Sequence, residues 1–175
     1  MSINSECIKC GMIKLGIWDG TFEKGKNVHS FLNLQDKSQI VFEGNAAIAN
    51  SFTINNGGKL TFGKNFSSNY GLFISCMSSV EFGDDCLLGW NNTFIDNDGH
   101  KVISDNGKCS IPKTIEIGNH NWITSETTFL KGSSIGDNNV VGYGAFVKNN
   151  FASENDCLIA GNPANRIKSI RGWEK

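Results

Sequence analysis

The 175-residue chain has little proline, no excess charge of either sign and no long apolar stretch. Its 16 basic and 17 acidic residues leave a net charge of −1, so it lacks the basic excess that drives binding to nucleic acid or to anionic membrane surfaces. No apolar run approaches the roughly 20 residues that a membrane-spanning helix needs. The first ten residues also lack the apolar middle of a signal peptide. These absences predict a cytoplasmic protein that binds no nucleic acid and has no membrane span.

Metal-binding patterns are also scarce. The six cysteines form no dense framework, so we expect reduced thiols. Cys7 and Cys10 make a single CxxC pair, whereas a zinc site would need a second pair or suitably spaced histidines. The sequence therefore predicts no metal.

Apolar residues recur at a fixed interval. The starting positions are Phe22, Phe42, Phe62, Phe82, Ile117 and Ile135, spaced by 20, 20, 20, 35 and 18 residues. Six residues after each start stand Val28, Ile48, Ser68, Leu88, Ile123 and Val141. Twelve residues after each start stand Leu34, Ile54, Ile74, Phe94, Phe129 and Val147. An apolar residue every six positions, three per repeat, predicts an all-β triangular solenoid in which each side is a short strand.

Residues that tolerate a left-handed backbone occupy the expected corners. Three positions after each start stand Gly25, Asn45, Asn65, Asp85, His120 and Asn138. Gly, Asn and Asp adopt positive φ most readily, which a sharp corner requires. We accordingly expect His120 to be a structural turn residue.

The repeat also predicts the organisation of the chain. We expect one domain over 1–175, with coils over about 20–160 and a loop inserted at about 95–113. Two extra residues in each 20-residue coil predict a bulge or a widened corner. Ile167, Ile170 and Trp173 are spaced like one helical face, which predicts a short C-terminal helix as a cap over 163–175.

Three segments carry a resemblance to a known family: Ile117-Gly118-Asn119-His120-Asn121-Trp122-Ile123, the run from Ile135 to Gly144, and Ala160-Gly161-Asn162-Pro163-Ala164. Together, over roughly residues 62–175, they resemble the hexapeptide-repeat acyltransferases. Within this family the chain is similar to O-acetyltransferases of capsule and lipopolysaccharide sugars and to maltose and galactoside acetyltransferases. The resemblance implies a left-handed parallel β-helix, acetyl-CoA as co-substrate, a saccharide acceptor and a homotrimer with active sites between subunits.

The inserted loop holds the candidate base. It contains Asp96-Asn97-Asp98-Gly99-His100, which resembles the loop where this family carries its catalytic histidine. An imidazole with a pKa near 6.5 suits removal of a hydroxyl proton, so His100 is the predicted general base. Asp98 and Asp96 are predicted to orient His100 or to bind sugar hydroxyls, and each has the alternative of capping a turn.

Further site residues follow from the resemblance. Trp122 matches a tryptophan whose main chain lies beside the thioester in the family, with packing at a subunit contact as the alternative. Asn91 lies one residue out of register with an acceptor-binding asparagine, for which Asn92 is the rival. Trp90 precedes the loop and is predicted to stack on a sugar ring or to pack.

Cofactor contacts are predicted in the last coils. The matching positions are Ser125, Gly142, Tyr143 and Ala145, and the cations available for phosphates are Lys148, Arg166 and Lys168. The sequence departs from the family pattern at Thr124, Tyr143, Ala145, Lys148-Asn149 and Asn165, which affects the fine geometry of the cofactor channel.

Three rival functions remain open. The first is N-acetylation of an amino sugar or nucleotide sugar on the same fold. A metal-dependent hydratase would need three converging histidines, but His29 lies several coils from His100 and His120. A non-enzymatic binding solenoid would have no need for the inserted loop. For the enzyme we expect direct transfer in a ternary complex, because no Cys or Ser stands beside a recognisable base.

Overall fold

The computed structural model describes residues 1–16 and 29–174, which form three sheets of short strands. Sheet 1 consists of β1 (Ser2–Ile3), β4 (Gln39–Phe42), β7 (Lys59–Phe62), β10 (Ser79–Phe82), β13 (Ile115–Ile117), β16 (Ser134–Ile135) and β19 (Asn150–Phe151). Sheet 2 consists of β2 (Ile13–Leu15), β5 (Ala46–Ile48), β8 (Phe66–Ser68), β11 (Leu87–Leu88), β14 (Trp122–Ile123), β17 (Val140–Val141), β20 (Cys157–Ala160) and β21 (Asn165–Ser169). Sheet 3 consists of β3 (Phe31–Leu34), β6 (Thr53–Asn56), β9 (Phe73–Cys76), β12 (Thr93–Ile95), β15 (Thr128–Leu130) and β18 (Phe146–Val147).

From β1 to β20 the chain visits sheets 1, 2 and 3 in turn, and the strands of successive coils pair in parallel. This arrangement confirms the predicted left-handed parallel β-helix. Corner 1 joins sheets 1 and 2, corner 2 joins sheets 2 and 3, and corner 3 joins sheet 3 to sheet 1 of the next coil. A side chain's place is therefore given by its sheet or corner and by its coil.

The axis of the helix is filled by the predicted apolar positions. Phe42, Phe62 and Phe82 are buried, and successive rings in this column stack with centroids 5.2 and 5.6 Å apart. Phe94 and Phe129 stack in the same way at 5.0 Å. Burying each such ring contributes about 1.5–3 kcal/mol relative to leaving it in water. Phe22, Gly25 and Val28, which the repeat assigns to the first coil, lie outside the described residues.

Corner 1 confirms the left-handed positions at four sites. Asn65, Asp85, His120 and Asn138 have φ between 51° and 58°, whereas Asn45 reaches the corner without a left-handed backbone. The side chains bond along the corner, with Asn65 Nδ2 donating to Asp85 Oδ1 at 3.0 Å and His120 Nδ1 lying 2.8 Å from Asn138 Oδ1. These contacts confirm His120 as a turn residue.

The two extra residues of the 20-residue coils widen corner 3. They lengthen the flanking strands of sheets 3 and 1, so Ile40, Leu60 and Val80 form a second buried position on sheet 1. The prediction that Leu34 is the counterpart of Ile54 is wrong, because Leu32 pairs with Ile54, whereas Leu34 pairs with Asn56 and is 43% exposed. In this coil the turn after β3 holds extra residues, and these shift the register of β3 relative to the repeat. Within that turn the Ser38 amide donates to the Gln35 carbonyl.

The predicted C-terminal helix is also wrong, since the described residues contain no helix. The segment with the helix-like spacing of Ile167, Ile170 and Trp173 instead forms the antiparallel strand β21 and its extension along β20. The last coil leaves the backbone groups of β20 open on one side, and pairing them outweighs a weak helical pattern. None of the described residues forms a helix of the length and apolarity that crossing a membrane requires.

Candidate active site

The insertion leaves sheet 3 after β12 and returns at β13, so residues 96–114 project from corner 3. Its outer half is a hairpin in which Ile103 and Cys109 form an antiparallel bridge and the Ser110 amide donates to the Val102 carbonyl at 2.8 Å. His100 lies at the root of this hairpin and is exposed. An exposed imidazole at the root of a structured loop is available to a bound substrate.

A cleft of about 530 Å³ lies between the loop and the outer face of sheet 3. It is lined by Asn33, Gln35, Asn55, Ser75, Met77, Asn97, Asp98, Gly99, His100, Lys101, Ser110, Ile111 and Pro112, so polar side chains share the lining with apolar surface. The volume is within the usual range for small-molecule sites. His100 therefore faces a space that can hold a polar ligand.

Asp98 is tied to the next coil. Its carboxylate forms an ion pair with Lys131 Nζ, and this hydrogen bond, followed by one from Ser110, holds the pKa of Asp98 below its ordinary value. No hydrogen bond between Asp98 and His100 is present among the described residues. The carboxylate is thus placed to fix the loop root, and its predicted part in orienting the imidazole stays a prediction.

Asp96 is fully buried at corner 3. Its Oδ1 accepts from the Met77 amide at 2.7 Å and its Oδ2 from the Ser78 amide at 2.6 Å. Both carboxylate oxygens are used by the backbone of the preceding coil. Of the two roles that the sequence left open, these contacts favour turn capping over acceptor binding.

Corner 2 gathers several predicted acceptor residues. Asn91 adopts φ 55° and its Nδ2 donates to Glu126 Oε1 at 2.7 Å. Asn92 is buried, and its Oδ1 accepts from the Thr127 amide and hydroxyl. Trp90 is partly exposed beside them. Only Asn91 and Trp90 of this set therefore offer side-chain surface to a ligand.

Trp122 lies on the outer face of β14 in sheet 2 and is 38% exposed. The ring of Trp173, from the C-terminal segment, lies 6.1 Å from it. Trp173 also stacks on His120 at 4.6 Å and donates from Nε1 to the His120 carbonyl oxygen at 2.8 Å. The C-terminal segment thus bounds one side of the Trp122 surface.

The predicted cofactor residues of the last coils cluster at corner 2. Ser125 Oγ accepts from the Trp90 amide at 3.0 Å, and the Gly144 amide donates to the Ser125 carbonyl. These bonds join successive coils at this corner. Tyr143 is 74% exposed at the same corner, next to Gly142. Ala145 is only 1% exposed, so its side chain packs in the core and only its main chain can contact a cofactor.

The three predicted phosphate-binding cations are dispersed. Lys168 lies on the outer face of β21, paired with Leu158 of β20. Arg166, on the same strand, forms an ion pair with Glu154 at 2.9 Å and donates to Ser169 Oγ. Lys148 is exposed at corner 3, the corner from which the loop projects.

A single copy of the chain does not bring all these residues together. His100, Asp98 and Lys148 belong to corner 3, whereas Trp122 belongs to sheet 2 and Tyr143 to corner 2. Corner 2 and corner 3 are separated by the whole width of sheet 3. The acceptor side and the cofactor side of the predicted site are therefore on different edges of one β-helix.

Comparison with known proteins identifies relatives of this chain. No protein-family profile matches the chain. Galactoside O-acetyltransferase of Escherichia coli K12 is 34% identical over 123 residues, which cover 68% of this chain and 58% of that protein. WbbJ of the same strain, named as a lipopolysaccharide biosynthesis O-acetyl transferase, is 28% identical over 159 residues, covering 70% of this chain and 80% of the relative. The chain thus spans just over half the length of the galactoside enzyme.

Solved structures agree with the sequence relatives. The polySia-specific acetyltransferase NeuO superposes with a TM-score of 0.65 at 26% identity, covering 78% of this chain and 68% of NeuO. The resemblance to hexapeptide-repeat acetyltransferases is confirmed. At 16% identity, the N-acyltransferase AntD of Bacillus cereus, solved with dTDP and coenzyme A, shares the fold with a TM-score of 0.65 over 79% of this chain and 77% of AntD.

The contacts of two residues, Lys131 and Trp173, were not predicted from the sequence. Lys131 was not recognised as the partner of Asp98, although the pairing of Ile95 with Leu130 puts Lys131 directly beside Asp96 on the next coil. The repeat spacing therefore puts Lys131 near the loop root but does not indicate that it pairs with Asp98 and not with Asp96. Trp173 was assigned to a helix, and no pattern in the sequence indicated that it would reach His120.

The metal prediction remains an expectation. Within residues 1–16 and 29–174 no three His, Cys, Asp or Glu side chains converge as metal ligands would. Cys7 and Cys10 are exposed thiols in the turn that precedes β2.

Proposed function

We propose that this protein transfers the acetyl group of acetyl-CoA to a hydroxyl group of a saccharide, with His100 as general base. The observation that carries the proposal is the exposed His100 at the root of a loop inserted into an acetyltransferase-like β-helix, where it lines a cleft with several polar side chains. Sequence relatives and a structural neighbour that are named as sugar acetyltransferases support it.

The chemistry needs few groups. A ring nitrogen of His100 takes the proton of the acceptor hydroxyl as the oxygen attacks the thioester carbonyl. The carbon–sulfur bond then breaks, coenzyme A leaves as the thiolate, and the proton passes from the imidazole to the sulfur. We propose that this occurs directly in a ternary complex, without an acetylated protein side chain.

We propose a homotrimer in which two copies complete each site. One copy presents His100 and Asp98 from corner 3, and its neighbour presents Trp122 and corner 2 with Ser125 and Tyr143. The separation of these groups by the width of sheet 3 within one copy supports this arrangement. Contacts between two different surfaces of the chain are heterologous, and in a closed three-fold ring they repeat the same site at every interface.

The last coils are the proposed binding surface for coenzyme A. The main chain of Gly142 and Ala145 and the exposed ring of Tyr143 would contact the pantetheine arm. Lys148, Arg166 and Lys168 would bind phosphates, as cations commonly do. Since Arg166 already pairs with Glu154, we expect Lys168 to contribute more freely than Arg166.

We propose a surface polysaccharide or its precursor as the acceptor. The relatives supporting this substrate class are named for lipopolysaccharide biosynthesis and for polySia specificity. An amino acceptor would need the same base, so the experiment includes amines.

The test is an assay of coenzyme A release from acetyl-CoA with galactosides, oligosialic acids and matched amino sugars. We expect acetylation of hydroxyl acceptors and a fall in kcat of about 10²–10⁴-fold in His100→Ala, the usual size of lost acid–base catalysis. His29→Ala is the matched control, because His29 is an exposed histidine far from the loop in sequence. Transfer only to amines would contradict O-acetylation, and unchanged kcat in His100→Ala would contradict the assignment of the base.

A further inference from the structure

We propose that the outer face of sheet 3, on the coils before the loop, is a binding subsite for additional sugar units of an oligosaccharide acceptor. This inference rests on the proposed function and extends it, because it gives the acceptor a direction and a minimum length. The subsite would begin at His100 and continue along Ser75, Asn55 and Asn33.

These three polar residues form one column. Asn33 pairs with Asn55, and Asn55 pairs with Ser75, in the parallel register of β3, β6 and β9. Adjacent strands are about 4.8 Å apart, so the column extends about 10 Å over two spacings. In a strand, alternate residues point to opposite faces, and the buried neighbours Ile54 and Ile74 place this column on the outer face.

The column changes from polar to aliphatic at the two coils that flank the loop and is polar again at the charged Lys148, which follows the Phe129–Val147 pair. The next two positions in the same register are Ile95 and Leu130. A parallel β-helix has no structural requirement for amides on its surface at one end and aliphatic side chains further along. The change in character coincides with the cleft that contains His100, of which Asn33, Asn55 and Ser75 are lining residues.

The amides of Asn33 and Asn55 are available for a ligand. Neither side chain has a hydrogen-bond partner among the described residues, whereas the neighbouring Asn97 is held by Ser75 and Asp96. A carboxamide offers two donors and one acceptor oxygen, which together match the donor and acceptor character of sugar hydroxyls. Two free carboxamides on adjacent coils therefore suit a ligand rich in hydroxyl groups and longer than one sugar.

A second column, with an aromatic residue at each end, runs beside the amides. Phe31, Thr53 and Phe73 are in register on the same outer face, two residues before Asn33, Asn55 and Ser75 on their strands. Phe31 is exposed and Phe73 is half-buried. Aromatic rings provide apolar area for the carbon–hydrogen faces of sugar rings, while the amides bind their hydroxyls. This combination favours a saccharide over a small ion as the occupant.

Calorimetry on the full chain without acetyl-CoA tests the subsite separately from catalysis. The probes are galactose and its β-1,4-linked tetrasaccharide, and sialic acid and its α-2,8-linked tetrasaccharide. In at least one series we expect the tetrasaccharide to bind about tenfold more tightly than the monosaccharide. The double variant N33A/N55A should remove that advantage, since each lost hydrogen bond weakens binding by up to about tenfold.

Asn45→Ala is the matched control, because Asn45 is also exposed but lies at corner 1. It should leave the preference for the longer probe unchanged, and thermal unfolding of all variants checks that they fold. Equal affinity for mono- and tetrasaccharide in both series, or a length preference that survives N33A/N55A, overturns the subsite. A change of oligomeric state in N33A/N55A without a change in length preference also overturns it, since a second copy would then cover this face. Loss of the subsite with retained acetyl transfer would leave the proposed function intact.

Discussion

At the scale of single residues, Asp98, two positions before His100, joins the loop to the next coil through an ion pair with Lys131. Asp98 receives hydrogen bonds from Lys131 and Ser110, and the Lys131 bond is the main reason that its pKa is lowered. A carboxylate that is harder to protonate when folded contributes stability above the ordinary aspartate pKa. That contribution is lost as the pH falls through the lowered pKa.

Replacing Lys131 by methionine tests this anchor. We expect the pKa of Asp98 to rise towards its ordinary value and the loop amides around His100 to exchange faster. Carboxyl NMR titration and hydrogen exchange measure the two effects. Lys108→Met, which removes an exposed charge at the hairpin tip, is the control and should change neither. An Asp98 pKa that does not move in Lys131→Met would show that the ion pair does not hold the loop.

Single residues also show where sequence reasoning was limited. The repeat identified His100 as a loop residue and His120 as a turn residue, because both follow from position in the coil. It left Asp96 and Asp98 open, since the direction of each carboxylate depends on which backbone amides or cations the adjacent coil presents. Asp96 meets two amides and Asp98 meets Lys131, a difference that only the folded chain determines.

At the scale of elements, corner 3 is held by side chains that bond between coils. At this corner Asn56 Nδ2 donates to the Gln39 carbonyl and Asn56 Oδ1 accepts from the Gly58 amide. The Asp96 carboxylate accepts a hydrogen bond from the backbone at the corner of the preceding coil, and the inserted loop begins at this residue. The insertion therefore begins from a buried, fully bonded residue.

Asp96→Ala should destabilise this corner. It leaves the Met77 and Ser78 amides without their carboxylate partner, at a cost of about 1–3 kcal/mol in the free energy of unfolding. Urea unfolding measures the change. Asp105→Ala, at an exposed position on the hairpin, should stay within about 0.5 kcal/mol of the parent. An equal, small effect in both variants would mean that water replaces the carboxylate without cost.

The C-terminal strand shows how an open strand edge can override a local pattern. Ile167, Ile170 and Trp173 have helical spacing. The backbone groups on the open side of β20 nevertheless pair with this segment, which forms the antiparallel strand β21. The predicted strands were correct because inward apolar side chains and corner residues agreed in most coils. The last segment has no following coil to confirm its pattern, so the sequence could not indicate its structure.

Trp173→Ala should release this segment. The variant loses the stacking on His120 and the bond to its carbonyl oxygen, which together are worth about 1–2 kcal/mol. The Ile170 amide, which donates to the Asp156 carbonyl oxygen at 2.8 Å, should then exchange roughly tenfold faster. Trp90→Ala removes a partly exposed indole at corner 2 and is the control. Unchanged exchange at Ile170 in Trp173→Ala would mean that β21 pairing alone fixes the segment.

At the scale of the whole molecule, the β-helix separates the chemical groups that one reaction would need. The cleft lined by His100 lies at corner 3, and the Trp122 surface lies on sheet 2. The repeat predicted both locations in sequence, since the loop and the last coils are readable from the spacing. It could not indicate that one copy keeps them apart, because that depends on the handedness and width of the sides.

Mixed assemblies test most directly the claim that His100 of one copy acts with Trp122 of another. His100→Ala chains are expected to be inactive alone, and Trp122→Ala chains are expected to lose most of their activity because the indole forms part of the surface that the neighbour presents in the proposed site. After denaturation and joint refolding at equal amounts, about a quarter of the sites should pair an intact His100 with an intact Trp122 from different chains. We predict recovery of about a quarter of the parent acetyl-transfer rate. A mixture as inactive as either variant alone would contradict a site shared between copies.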